Sequence, residues 1–280
     1  MTRGKENRFP TRSFSKRLGS MLRVDARRMF GTSLFWVCLG TAFVVPILVL
    51  VMTTMVGETD GGLIFNNTWQ IIGSESKDLM GMMAGMAGAM GGAEQTAAGG
   101  GMDMTFMMNI NLMYFLIGVF VCLFTAEDFR SGYAKNLFSV RAKKTDYVAS
   151  KTILCFLAGA MFLVAFFLGG VFGGVFAGLS FSLGAAGSLG LVMCMLAKIF
   201  LMGVFVAIFL LMSVIARHRS WMSICLSLFG GMLLFMMIPM MTPLDSGAMN
   251  VGLCLAGGVI FALAIGSLSN MVLKRVSLVG

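Results

Sequence analysis

A chain of 280 residues with 58% hydrophobic and 12% charged side chains, at a mean hydropathy of +0.90, carries more apolar surface than a water-soluble core of that size can hide. Soluble domains carry about 25% charge, so lipid must be part of the solvent here. The net charge of +9 does not point to nucleic acid, because the bases cluster at the ends of apolar blocks, and the helix-length blocks lack the alternation of a membrane barrel.

In chain order, residues 1–11 mix charges around Pro10 and read as a disordered N-terminus. Residues 12–30 predict an amphipathic interfacial helix. Phe14, Leu18, Met21, Leu22 and Met29 share one face, and Lys16, Arg23 and Arg27 lie opposite, as in a helix resting against anionic lipid. Asp25 falls on the apolar face and breaks the pattern; a basic topology signal without fixed structure is the alternative. Residues 31–280 then form a transmembrane domain with six apolar blocks, roughly 32–55, 106–126, 152–178, 188–216, 221–242 and 249–273. Each suits the roughly 20 residues a membrane helix needs. The first is too long for a signal-peptide core and no Ala-x-Ala site follows it, so a retained helix is expected.

The segment 56–105 holds Asn66-Asn67-Thr68-Trp69, formally a glycosylation triplet, then the run MGMMAGMAGAMGGAEQTAAGGGMDM. Met80, Met82, Met83, Met86, Met90, Met102 and Met104 offer soft ligands suited to Cu(I). The run lacks His and Cys, however, and the chain has 28 methionines, so a flexible surface for a greasy ligand or the membrane is the preferred reading.

The loop 127–151 reads EDFRSGYAKNLFSVRAKKTDYVASK. Gly132 can break the helix leaving the membrane, and Tyr133, Leu137 and Val140, at i, i+4 and i+7, give a short helix an apolar stripe that a partner protein could grip. A solvated basic loop that anchors topology is the alternative. In the third block Gly169, Gly170, Gly173, Gly174 and Gly178 allow close helix approach, within the chain rather than across a dimer by preference. The fourth block opens on a Gly/Ser-rich turn, and its Lys198 lies 19 residues before Arg217, about 28 Å along a helix. Snorkelling to the outer interface is expected of it; a pathway-lining cation is the alternative. Pro46 and Pro239 allow kinks.

Charge sets the orientation. Nine bases from Arg3 to Arg28 precede the first block, and Arg130, Lys135, Arg141, Lys143, Lys144 and Lys151 follow the second. Arg217 and Arg219 follow the fourth, and Lys274 and Arg275 the sixth, whereas 56–105 sets Lys77 against Glu58, Asp60, Glu75, Asp78, Glu94 and Asp103. Both termini and the 127–151 loop are therefore expected in the cytoplasm.

The combination of Glu127, Asp128, Gly132, Lys135, Asn136, Arg141, Tyr147, Ser150 and Lys151, after a basic amphipathic lead-in and within six spans, resembles the ABC-2 type permeases, closest to the lantibiotic and bacitracin self-protection subgroup. The resemblance implies that the loop contains a coupling helix seated in a groove of a separate ATP-binding subunit, with Glu127, Asp128, Gly132, Tyr133, Lys135, Asn136, Leu137 and Arg141 at that junction. It implies two permease units, copies or paralogues, in a plasma-membrane exporter of amphipathic or lipid-like cargo, with ATP and Mg held by the partner and no cofactor in this chain. Thr242–Gly247 leaves little room for the short outer helices often found there, and the Met/Gly-rich loop stands in their place.

Absences agree with that implication. The chain contains no GxxxxGK[ST] phosphate loop, its only histidine, His218, sits between Arg217 and Arg219, and none of its six cysteines forms a CxxC pair. A non-transporting sensor or scaffold that docks a cytoplasmic partner through 127–151 is the competing reading.

Overall fold

The computed structural model describes residues 14–56, 101–103, 112–139, 144–178, 180–182, 187–216, 219, 221–230 and 248–275. Within them lie eight helices: α1 (Phe14–Gly31), α2 (Ser33–Val56), α3 (Leu112–Arg130), α4 (Tyr133–Ser139), α5 (Lys144–Phe176), α6 (Gly187–Ile215), α7 (Trp221–Gly230) and α8 (Ala248–Arg275). Two three-residue strands, β1 (Gly101–Asp103) and β2 (Ser180–Ser182), pair in parallel with Gly101 opposite Ser180. Most of the Met-rich run, residues 1–11, Arg141, His218 and residues 231–242 with Pro239 lie outside the described residues.

Three helical stretches are long and apolar enough to cross a membrane: Lys144–Phe176, Met195–Ile215 and Val251–Leu273. Phe14–Gly31 and Ser33–Leu48 meet that length and composition only when taken together, across a bend of 64°. Thr32 sits at the bend, where its hydroxyl donates to the carbonyls of Arg28 and Met29 at 2.7 and 2.9 Å and so competes with the helical ladder. Beside it the Trp36 indole donates to the Phe30 carbonyl at 2.9 Å.

The core is aromatic. Phe35 of α2, Phe120 of α3 and Phe162 of α5 form a triangle of rings with centroids 5.1 to 6.2 Å apart. Tyr114 stacks on Phe205 at 4.4 Å, which fastens α3 to α6. Glycine lets the helices close. A Cβ at Gly169 would strike the Phe43 carbonyl oxygen and the Pro46 ring of α2, so the stretch of α2 around Pro46 lies directly on α5. Gly258 of α8 would meet the Phe200 carbonyl oxygen of α6 at 2.6 Å, and Gly203 faces Gly258.

Several expectations change. Block three begins eight residues earlier than its apolar run, because α5 spans 33 residues, about 50 Å, and its polar first turns are buried against α1 and α3 instead of lying in solvent. The apolar face of α1 turns inward, with Met21 and Met29 buried in the core, so protein and not lipid covers it, while Phe14 is exposed. Lys198 is 2% exposed and its carbonyl accepts the Tyr114 hydroxyl at 3.1 Å, so this face of α6 packs on α3.

Candidate functional site

The polar ends of α1, α3, α4, α5 and α8 converge on one buried cluster of charges. Asp25, the residue that breaks the amphipathic pattern of α1, is its first member and is fully buried. Its register explains this: Met21, Asp25 and Met29 lie one turn apart on the face packed inward. Asp25 Oδ1 accepts the Tyr133 hydroxyl at 3.1 Å and Oδ2 the Ser150 hydroxyl at 2.8 Å. From α3, Asp128 accepts Arg28 Nη1 at 2.8 Å on Oδ1 and the Tyr147 hydroxyl at 3.0 Å on Oδ2.

Lys151 stands between the two carboxylates with no solvent exposure, its Nζ 2.7 Å from Asp128 Oδ2 and 3.7 Å from Asp25 Oδ1. The 2.7 Å approach is an ion pair without hydrogen-bond geometry, so its attraction is Coulombic. The Phe124 ring, 3.8 Å from Nζ, covers another side of the ammonium. With Arg28 the cluster holds two carboxylates and two cations and is neutral. That balance is what permits Asp25, Asp128 and Lys151 to be fully buried, since an isolated ion costs several kcal/mol to bury.

The cluster holds α4 in place. Gly132, at φ 73°, ends the run of α3, because a backbone with positive φ leaves the α-helix at little cost only in glycine. On the inner side of α4, Ala134 is buried and Leu137 and Phe138 pack on the core. Tyr133 is hydrogen-bonded to Asp25 and lies under the Arg28 guanidinium, 3.7 Å from ring centroid to Cζ. Phe138 meets Tyr147 edge-on at 5.4 Å, with Lys144 Nζ 5.9 Å from its ring. Lys144 also donates to the Leu273 carbonyl at 2.5 Å, and Asn270 to Thr145 at 3.1 Å, which brings in α8. A separate ion pair, Arg17 to Asp146 at 2.9 Å, binds α1 to the first turn of α5.

Burial pushes the Tyr133 phenol up to about 12, with the Asp25 charge and hydrogen bond adding to it. For Arg28 burial works against the charge, but the Asp128 carboxylate more than compensates and raises it.

The residues proposed from sequence divide by face. Asp128, Tyr133 and Leu137 point inward. Lys135 and Asn136 are exposed on the outer side of α4, and Glu127 is exposed one residue before Asp128, with its carbonyl accepting Ser131. Arg141 lies outside the described residues. Among the packing glycines, Gly169, Gly170, Gly173 and Gly174 are buried, whereas Gly178, at φ 71° with open space where a Cβ would stand, turns the chain out beyond α5. Sequence reasoning missed Asp25, Arg28, Arg17 and Asp146. The i, i+3, i+4, i+7 spacing of Tyr147, Ser150, Lys151 and Leu154 was the available signal that polar groups share a buried face. Among the described residues no group of His, Cys, Asp or Glu is arranged to hold a metal.

Residues 31–234 match a family described as ABC-2 family transporter protein. The chain belongs to the ABC-2 transporter family. This ABC-2 protein is therefore an integral membrane protein and the membrane component of an ABC transporter, a family organisation that implies an ATP-binding partner. The match runs from α2 through α7; α1, which supplies Asp25 and Arg28, lies almost wholly before it. Comparison with curated proteins and with solved structures gives no match.

Proposed function

We propose that the chain is the permease subunit of an ABC exporter, with six spans and both termini in the cytoplasm of a cell bounded by the plasma membrane it crosses. A separate ATP-binding subunit energises it, and a second copy or a paralogue completes the transport unit. The observation that carries this reading is α4: a seven-residue helix, too short to persist alone, fixed by its inner face and presenting Lys135 and Asn136 outward. A helix held so firmly on one side and left open on the other suits a rigid contact through which an ATPase moves the spans. Force on α4 would pass through Tyr133 to Asp25 and from there to α1 and α5.

In support of six spans, α3 has 19 residues, and α7 opens an apolar block that continues to residue 242 in the sequence. For the cargo, an apolar groove of about 310 Å³ runs between α5, α6 and α8, lined by Ile153, Phe156, Phe200, Leu255, Val259 and Ala262 among others. It suits an acyl chain or the greasy face of a peptide, in keeping with the resemblance to the lantibiotic and bacitracin subgroup.

The test is co-expression with its genomic neighbours, purification in mild detergent and an ATP turnover assay. About one ATPase per permease is expected from the wild type. Lys135→Glu combined with Asn136→Asp should cut recovery at least tenfold with the elution profile unchanged. Full recovery by that variant removes α4 as the docking helix. If the wild type recovers no ATPase, the sensor or scaffold reading takes its place.

A further inference from the structure

The bases of α1 fall into two sets. Arg17 and Arg28 reach carboxylates of the bundle, Asp146 and Asp128. Lys16, Arg23 and Arg27 are exposed, and no carboxylate among the described residues forms an ion pair with them. At 100° per residue these three lie within about 40° of arc, spaced about 10 and 6 Å along the axis. The only acid of α1, Asp25, is buried on the opposite side.

The same stripe ends in apolar groups. Phe30 falls within about 20° of Arg23 and is 39% exposed, and the indole that donates to its carbonyl belongs to Trp36, 58% exposed at the start of α2. A Trp at the mouth of a spanning helix is an interfacial anchor. The 64° bend turns α1 away from the α2 axis, so with α2 taken as a span the basic stripe runs out from that anchor along the membrane surface.

We infer that this face of α1 is a binding surface for anionic phospholipid, whose phosphates sit on Lys16, Arg23 and Arg27 and whose acyl chains meet Phe30 and Trp36. The apolar side of the helix is already spent on the protein core, so the attraction to lipid is electrostatic with a small apolar foot. Each base near a membrane surface favours an anionic lipid by roughly fivefold, and three together by about a hundredfold. The inference needs only the placement of α1 at a membrane surface and is independent of the pairing with an ATPase.

The experiment compares thermal unfolding of the purified chain in neutral detergent after addition of phosphatidylglycerol or phosphatidylcholine at matched acyl composition. Native mass spectrometry counts the lipids retained. Phosphatidylglycerol should stabilise the wild type selectively, with an apparent affinity at least tenfold above that of phosphatidylcholine, and 0.5 M NaCl should abolish the difference as screening shortens to a few ångströms. The variant Lys16→Gln/Arg23→Gln/Arg27→Gln should lose the selectivity while keeping its unfolding temperature in phosphatidylcholine, and Lys16→Arg/Arg23→Lys/Arg27→Lys should retain it. If the triple Gln variant aggregates, the salt response and Arg23→Gln alone decide. Equal effects of the two lipids on the wild type, or unchanged selectivity in the Gln variant, overturn the inference. Protection by inorganic phosphate as strong as that by phosphatidylglycerol overturns the assignment to lipid.

Discussion

Lys151 shows how one side chain can hold four helices. It neutralises Asp25 of α1 and Asp128 of α3 from its own place on α5, and Asp25 in turn holds Tyr133 of α4. Removing it leaves two buried carboxylates with Arg28 as their only cation, so Lys151→Met should cost about 3–5 kcal/mol, read as a lowered unfolding midpoint in detergent. Adding Asp25→Asn to that variant should recover part of the loss, because the surplus charge goes with it. If the two substitutions simply add, the triad is not coupled. Tyr133 gives a test by pH. Its phenol is raised by burial first and by Asp25 second, to about 12 from the model-peptide value of 10. Its contribution to stability is therefore complete below pH 10 and is lost between about pH 10 and 12, as the unfolded chain ionises first. Phenolate absorbance assigned by difference against Tyr133→Phe should stay low at pH 11 in the folded chain; its appearance near pH 10 would show that the phenol is neither buried nor held by Asp25. In sequence none of this shows plainly. Asp25 reads as an interruption and Lys151 as the last base of a loop, because a charge on an apolar face is unintelligible until its partners are known, and those of Asp25 lie more than 100 residues away.

Among the elements, two glycines do different work. Gly132 is needed for its backbone: nothing stands within 4 Å of a Cβ there, but φ is 73°. Gly169 is needed for space, with ordinary helical geometry and the α2 backbone against it. Gly132→Ala should cost about 1 kcal/mol and disturb α4 first, seen as weaker ATPase recovery before any loss of stability. Gly169→Ala should cost about 2–3 kcal/mol and lower the unfolding temperature outright; equal costs would mean that α2 and α5 can slide apart. The helices themselves were legible from composition, since an apolar block of 20 residues in lipid has no other way to satisfy its backbone. Their ends were not. The first two turns of α5 look like a cytoplasmic loop because Lys144, Asp146 and Lys151 are charged, and hydropathy cannot register that tertiary partners take those charges out of water. Glu127 and Asp128 look equivalent as a pair of letters, yet a rotation of 100° separates an exposed carboxylate from a buried one.

The molecule as a whole has a neutral, mostly buried charge cluster and long exposed apolar faces along α2 and α8, including Val37, Leu48, Ile260 and Leu263. Such faces are at ease only in lipid or against a second copy. Orientation is testable directly. In a background without the native cysteines, Lys135→Cys should react with a membrane-impermeant maleimide in inside-out vesicles and not in right-side-out ones, with Met102→Cys showing the reverse. Labelling of both from one side would show that α3 does not cross the membrane and so reject the six-span reading.

The ties of α1 also set a timetable. Asp25 leaves the ribosome 125 residues ahead of Ser150, which completes its coordination. At about 5–20 residues per second, that is an interval of roughly 6–25 s in which the N-terminal helix waits at the membrane with its carboxylate unmatched. For that interval it must be kept from water-mediated mispairing and from the translocation machinery, until the third apolar helix arrives and closes over it.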